Sequence, residues 1–310
     1  MSNGDLTARL AALAAVVLWG ISFVATRAAL RESSPVTLVF TRFALGTALL
    51  FALLAVRRRL TAPPRSAWPA LVSMGFFGVF VHQMLQAHGL ELTTAVHAGW
   101  LIGLIPIWSA LLAAAFLRER FGLRKIAGLL LGFLGAALVV TRGDPSASLL
   151  SLPSTRGDLL ILASTLNWAI YSVVGRGTLA RLGSARATAF AMLAGWLMLL
   201  PFFAFRAGWN EYPAISARGW GAVLFLGIGC SGLGYLFWYA ALEQLETSRV
   251  ASLLYLEPLV TLAAAVALLG EPVQAITVAG GVLVLGGVSL VQGVRSPSDK
   301  SIGRKWQVET

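Results

Sequence analysis

Charge is the first thing this chain is short of. Of its 310 residues 12% are charged and 57% hydrophobic, and mean hydropathy stands at +0.79. Globular domains carry roughly 25% charged residues. Half of that leaves too little polar surface to cover a water-soluble particle, so the outer surface must face lipid. Cysteine is equally scarce. Cys230 stands alone, which excludes an intramolecular disulfide framework, zinc clusters and CxxC redox chemistry. There is no GxxxxGKS phosphate loop for primary pumping and no ring-forming filter motif. No cleavable signal peptide stands out, and the first apolar run, Leu10 to Leu30, is long enough to cross a hydrocarbon core of ~30 Å as a helix. The formal net charge of +11 does not mark a nucleic-acid binder, because the basic residues sit between apolar runs and form no basic domain.

What is present is a succession of apolar runs of helical length, near 9–30, 35–56, 68–88, 94–117, 124–141, 158–179, 185–206, 219–242, 249–269 and 273–292. The expectation is an all-α integral membrane protein of ten transmembrane helices with short connections. Residues 143–157, rich in Ser and Pro, and the tail 293–310 read as surface segments. Loops rich in Lys and Arg stay in the cytoplasm. Arg57, Arg58, Arg59 and Arg65 share the N-terminal side with Arg118, Arg120, Arg124, Lys125, Arg176, Arg181 and Arg186, and with the basic tail. The opposite side holds far fewer basic residues. Both termini are therefore expected in the cytoplasm, with the chain in a bacterial inner (plasma) membrane. Arg42 lies about two turns inside the second run and reads as a residue snorkelling to the lipid surface, with a cavity-facing position as the alternative.

The chain repeats itself. A shift of 152 residues lays Trp68 on Trp220, Gly75 on Gly227, Glu91 on Glu243, Pro106 on Pro258, Glu119 on Glu271, Gly128 on Gly280 and Gly135 on Gly287. At a shift of 149, Trp19 and Arg27 meet Trp168 and Arg176. The first repeat is residues 1–142 and the second 158–292, with five spans each. An odd number of spans makes the second copy enter the membrane from the opposite face, so the halves are expected to be inverted around a central cavity.

The stretch Tyr235 to Gln292 carries an aromatic–Ala–Leu helix end, then Leu256-Glu257-Pro258, Leu269-Gly270-Glu271 and a glycine-rich last helix. These features resemble the repeat unit of the drug/metabolite transporter superfamily, EamA type. The first half matches more loosely, with Leu18-Trp19-Gly20 and Leu117-Arg118-Glu119, and has Ile105-Pro106 where the second half has Glu257-Pro258. Within the family the chain looks most like the YddG-type exporters of amino acids, aromatic ones included. The resemblance implies a secondary transporter working by alternating access, with a small-molecule substrate and no cofactor, metal or catalytic residue. It is weak on cargo, since the family moves amino acids, sugars, nucleotide derivatives and drugs. A monomer is the expected working unit.

Polar residues inside a membrane are costly unless they face a cavity or a partner. At ~100° per residue, Gly75, Gly78, His82, Gln86 and Gly89 share one face of span three, and Ser164, Asn167, Trp168, Tyr171 and Gly175 one face of span six. Trp19, Ser22 and Thr26 line up in span one, and Gly227, Ser231, Gly234 and Trp238 in span eight. The candidate substrate-binding set is Trp19, Ser22, His82, Gln86, Trp100, Asn167, Trp168, Tyr171, Tyr235 and Trp238. His82 can donate to a carboxylate, titrate near neutral pH, or simply bond a neighbouring helix. Glu257 can bind an amino group, carry a coupling proton, or be structural. Pro106 and Pro258 interrupt spans four and nine at matching places and are candidate hinges. The glycines of spans five and ten read as close helix packing. One enzyme reading remains: Gly229-Cys230-Ser231-Gly232 matches the GxSG of intramembrane serine proteases. All three histidines precede that serine, whereas the base of those enzymes follows it.

Overall fold

The computed structural model describes residues 3–117, 122–143, 153–242, 244–245, 250 and 253–292, and among these it is helical with no strand. Several expectations, those on Arg118, Glu119, Arg120, Glu243 and the basic tail, lie outside the described residues. The longer helical segments follow one another: α1 Asn3–Ala29, α2 Pro35–Val56, α3 Arg65–Leu92, α4 in two pieces Ala95–Ile102 and Ile105–Leu117, and α5 Leu123–Thr141. Then come α6 Pro153–Leu182, α7 Ser184–Phe205, α8 (Ala217–Leu224 running on through Phe225–Gly234 and Tyr235–Leu242), α9 Leu253–Leu269 and α10 Ala275–Gln292. Among the described residues seven helices are long and apolar enough to cross a membrane, and two shorter apolar helices, Leu253–Leu269 and Ala275–Val291, accompany them. The 30-residue α6 also exceeds the ~20 residues that a span needs.

The helix starts are written in the sequence. Ser34 caps α2, its hydroxyl accepting from Thr37 N at 3.3 Å with Pro35 at the first position. Thr94 does the same for α4 through His97 N at 3.1 Å, and Ser216 for α8 through Gly219 N at 3.1 Å. Each hydroxyl satisfies an amide that has no carbonyl one turn back. Helix α6 begins at Pro153, earlier than its apolar run, because a proline at the first helical position gives up no bond the helix would make.

Glycines set how closely the helices approach. A Cβ on Gly128 would stand 2.7 Å from the Gly287 carbonyl oxygen, and one on Gly135 2.5 Å from that of Gly280, so α5 and α10 touch backbone to backbone. Gly75 meets Ala191 and Gly195 between α3 and α7, while Gly227 meets Arg42 and Leu45, and Gly46 meets Gly227 and Ser231, between α8 and α2. Three stretches are wound more widely, as π-helix: Phe76–Val81 in α3, Phe225–Gly234 in α8 and Ala265–Leu269 in α9. Such turns insert a residue into the ladder and are frequent at functional sites.

At the end of the bundle where α1 finishes, acids close the helices. Glu32 accepts from Ser216 N at 2.6 Å and Ser216 Oγ at 2.9 Å at the start of α8, and Glu211 accepts from Ser34 N and Oγ, both at 2.7 Å, at the start of α2. Gly270, at φ +63°, ends α9 in the left-handed conformation that glycine adopts without strain. The turn carries Glu271 to Ala95 N (3.1 Å) and Val96 N (3.0 Å) at the start of α4. A carboxylate at a helix N-terminus is favoured by the aligned peptide dipoles.

Candidate functional site

Two aromatic groups occupy the interior. The first is built by α1 and α8. Trp19 Nε1 donates to the Cys230 carbonyl at 3.2 Å, and its ring lies 5.4 Å from Tyr235 and 5.3 Å from Trp238, centroid to centroid. Gly234 makes room, since a Cβ there would meet Trp19 Nε1 at 2.8 Å. The Cys230 carbonyl is free to accept because the chain is wound as π-helix at that point, which disturbs the regular ladder. Trp19, Tyr235 and Trp238 are each half-buried.

The second group is built by α3 and α6. His82 lies 5.0 Å from Trp168, and Trp168 5.0 Å from Tyr171. The Tyr171 ring packs where a Cβ on Gly78 would stand, 2.5 Å away. His82 Nδ1 is 2.8 Å from the Ser164 carbonyl; a carbonyl only accepts, so Nδ1 carries the hydrogen. The bond holds the ring against Trp168. One helical turn on, Gln86 is 7% exposed with no hydrogen-bond partner among the described residues, and Asn167 Oδ1 is sealed from solvent without a donor. Buried amides are nearly always satisfied, so a sealed amide oxygen without a donor, on the helix that carries Trp168 and Tyr171, suits something that is not protein.

Other candidates fall elsewhere. Ser22 is buried on α1. Trp100 is 2% exposed in the apolar cluster between α4, α5 and α10, its ring filling the space a Cβ on Gly281 would take; the structure does not bring it to either aromatic group. Glu257 starts the regular part of α9 after a 3₁₀ turn at Leu253–Leu256. It is half-buried, and its carboxylate has no hydrogen-bond or ion-pair partner among the described residues. Its backbone lies against α1, the Glu257 carbonyl standing 3.1 Å from where a Cβ on Gly20 would be, next to Trp19. Pro258 takes the second position of that helix. Pro106 takes the second position of Ile105–Leu117, after a tight turn in which Gly103 N bonds the Trp100 carbonyl at 3.2 Å and Leu104 N the Leu101 carbonyl at 3.0 Å. Both prolines therefore sit where their helices are already broken.

Arg42 corrects the sequence reading. It does not snorkel to lipid but is 6% exposed inside the bundle. Nε donates to Ser231 Oγ at 3.2 Å and Nη1 to Gln83 Oε1 at 3.3 Å, and the guanidinium lies 5.2 Å from the Phe43 ring centre. A helix apolar on all sides gives no period from which its inner face can be read, which is why the position was misjudged. Ser231 is thus engaged by an arginine. The histidines bond elsewhere: His82 to Ser164, His88 to Glu91 and His97 to Asp158.

A second polar cluster, invisible as a pattern in sequence, closes the end where α1 finishes. Arg27 Nε pairs with Glu271 at 3.1 Å, and its Nη1 donates to the Leu90 carbonyl at 2.9 Å and also to the Thr93 carbonyl. Asp158, fully buried, takes Thr93 Oγ1 and lies 3.0 Å from His97 Nδ1. The glycine pair Gly89–Gly157 brings α3 and α6 close enough for this. Two apolar grooves lie apart from all these groups. One, of about 430 Å³, is lined by Phe80, Val81, Met84, Leu85 and Leu160 with His88 and Glu91 at its edge. The other, of about 360 Å³, is lined by Phe51, Leu193 and Trp196. Both are open and almost wholly apolar, as a surface that meets lipid chains is, and chemistry, not volume, points to the aromatic interior.

Comparison with known proteins agrees with the apolar helical architecture. The model of the EamA-like transporter family matches the chain twice, over residues 6–141 and 155–292. An uncharacterized transporter from Archaeoglobus fulgidus is 32% identical over 275 residues, covering 89% of this chain and 93% of the relative. A probable terminal-alkyne amino-acid exporter from Streptantibioticus cattleyicolor is 28% identical over 299 residues, covering 95% and 94%. A solved structure described as a crystal structure of a protein is similar at TM-score 0.63 and 24% identity, covering 92% of this chain and 96% of its own, a likeness of fold.

Proposed function

The chain belongs to the EamA-like transporter family, and from that premise we propose that it is a secondary transporter exporting amino acids, aromatic ones included, by alternating access. The seven long apolar helices, α6 and the two shorter apolar helices supply ten spans. Several observations support two inverted repeats. The family model matches twice. The π-helical stretch of α3, carried forward by the repeat shift, falls within that of α8. The contacts are reciprocal: Gly128 meets Gly287 as its mate Gly280 meets Gly135, and Gly75 meets Gly195 as Gly227 meets Gly46. A two-fold relation turns each contact into the other. The membrane is the bacterial inner membrane, with both termini in the cytoplasm and the monomer as the working unit.

The observation that carries the cargo reading is the pair of aromatic groups with unsatisfied polar atoms beside them. Trp19, Tyr235 and Trp238 on one side, and His82, Trp168 and Tyr171 on the other, offer faces to an apolar or aromatic side chain. Gln86, Asn167 and Ser22 supply hydrogen bonds, and Glu257 an ionisable oxygen pair for an ammonium group. Pro106 and Pro258 act as hinges, at breaks the helices already contain. The exporter name of the relative at 28% identity is in keeping with this cargo.

Counterflow in proteoliposomes with labelled amino acids, sugars, nucleotides and amphipathic drugs tests it. Exchange of amino acids, aromatic ones above the rest, is expected; exchange confined to sugars, nucleotides or drugs overturns the cargo reading and leaves the fold untouched. His82→Ala, Gln86→Ala and Trp168→Ala are each expected to lower flux by about ten-fold while inserting normally, in line with losing one or two good contacts. Unchanged transport in all three would remove the proposed lining.

A further inference from the structure

Among the described residues Arg42 is a buried residue whose charge neither the fold nor the proposed lining uses. Placing a cation inside a membrane bundle costs several kcal/mol unless an anion is near, yet no carboxylate lies within ion-pair distance of it among the described residues. Its protein contacts are neutral: a hydroxyl, an amide oxygen and a ring face. A neutral side chain could tie α2 to α8 and α3 equally well. The repeat makes the point sharper, because the mate of Arg42 in the second half is Ala191, against α3, where Ala191 and Gly75 meet. The charge therefore belongs to one half only and is not required by the helix crossing.

Its two bonds also fix where it stands. Ser231 adjoins Cys230, which holds Trp19, and Gln83 adjoins His82, which lies against Trp168. Arg42 thus stands between α8, next to Cys230 in sequence, and α3, next to His82. Nε and Nη1 are engaged, and Nη2 has no protein partner among the described residues. Two hydrogen bonds pin the plane of the guanidinium, and the N–H groups of Nη2 are left to donate to a carboxylate, whose charge would answer that of Arg42.

We infer that Arg42, held in plane by Ser231 and Gln83, binds the carboxylate of the transported molecule and thereby selects amino acids over their amides and amines. The inference rests on the amino-acid reading above. It gives the bundle a cation to set against Glu257, which lacks a partner of its own, so that a zwitterion would leave neither charge alone.

The test is counterflow of a labelled aromatic amino acid, with the unlabelled amino acid, its carboxamide and its decarboxylated amine as competitors. In the wild-type protein the free acid is expected to compete about ten-fold or more better than the carboxamide, the scale of one charge-assisted hydrogen-bond pair. Arg42→Gln should level the two, and Arg42→Lys should keep part of the preference. A wild-type protein that does not distinguish acid from carboxamide, or an Arg42→Gln protein that still does, overturns the inference. Should Arg42→Gln fail to reconstitute, the wild-type comparison decides alone. Absence of any amino-acid exchange by the wild type removes the amino-acid reading, and this inference with it; exchange without preference for the acid removes this inference only.

Discussion

At the end where α1 finishes, Arg27 faces Glu271, His97 faces Asp158, and Glu32 and Glu211 each close a helix N-terminus. In the middle, among the described residues, Arg42 and Glu257 have no opposite charge beside them, and Gln86 and Asn167 have no partner for their amides. The same residue types serve both regions, and the difference lies in whether they are satisfied by one another. Paired groups hold helices in register. Unpaired groups cost stability, and a protein retains them where a ligand completes them.

The comparison can be broken most easily at Asp158. Replacing it by alanine strips the acceptor from His97 and Thr93 in a fully buried place, and a loss of about 3–5 kcal/mol is expected, as for one partner of a buried pair. A thermal melt in detergent reads it, and a melting temperature equal to wild type would mean the end cluster holds nothing together. A double-mutant cycle on Arg27 and Glu271 should give a coupling of about 1 kcal/mol, modest because the Arg27 side chain is 28% exposed. The smallest effect on stability belongs to the middle. Glu257→Gln, nearly the same in size at a half-buried position, should change it by no more than about 0.5 kcal/mol, while amino-acid counterflow falls by about ten-fold. If Glu257→Gln melted as early as Asp158→Ala, the two regions would not differ in the way described.

Much of the architecture is legible before any coordinates. Ser34-Pro35 marks the start of α2 because a cap followed by proline is a local signal, and the helix does run Pro35–Val56. The stripe Gly75, Gly78, His82, Gln86 and Gly89 is buried throughout, since small and polar residues at helical spacing avoid lipid. The glycines of α5 and α10 meet because no other side chain permits that approach. What escaped reading depends on neighbours. Arg42 is inside because α3 and α8 cover it, and Asp158 matters only because α3 and α4 bring Thr93 and His97 to it. Trp100 shares its residue type with Trp19 but packs against Gly281, a pairing across helices far apart in sequence. The widened turns in α3 and α8 left no signal beyond a local richness in glycine.

The crossed acids at Ser34 and Ser216 bear on how the molecule is made. Glu211 lies 177 residues beyond the serine it completes, so the second helix remains unfinished at its tip until most of the chain has left the ribosome. Glu32 is made early and then waits for Ser216, 184 residues downstream. Each half thus carries the stopper for a helix of the other. Assembly at this face is an exchange that neither half can conclude by itself, however well its own helices thread into the bilayer.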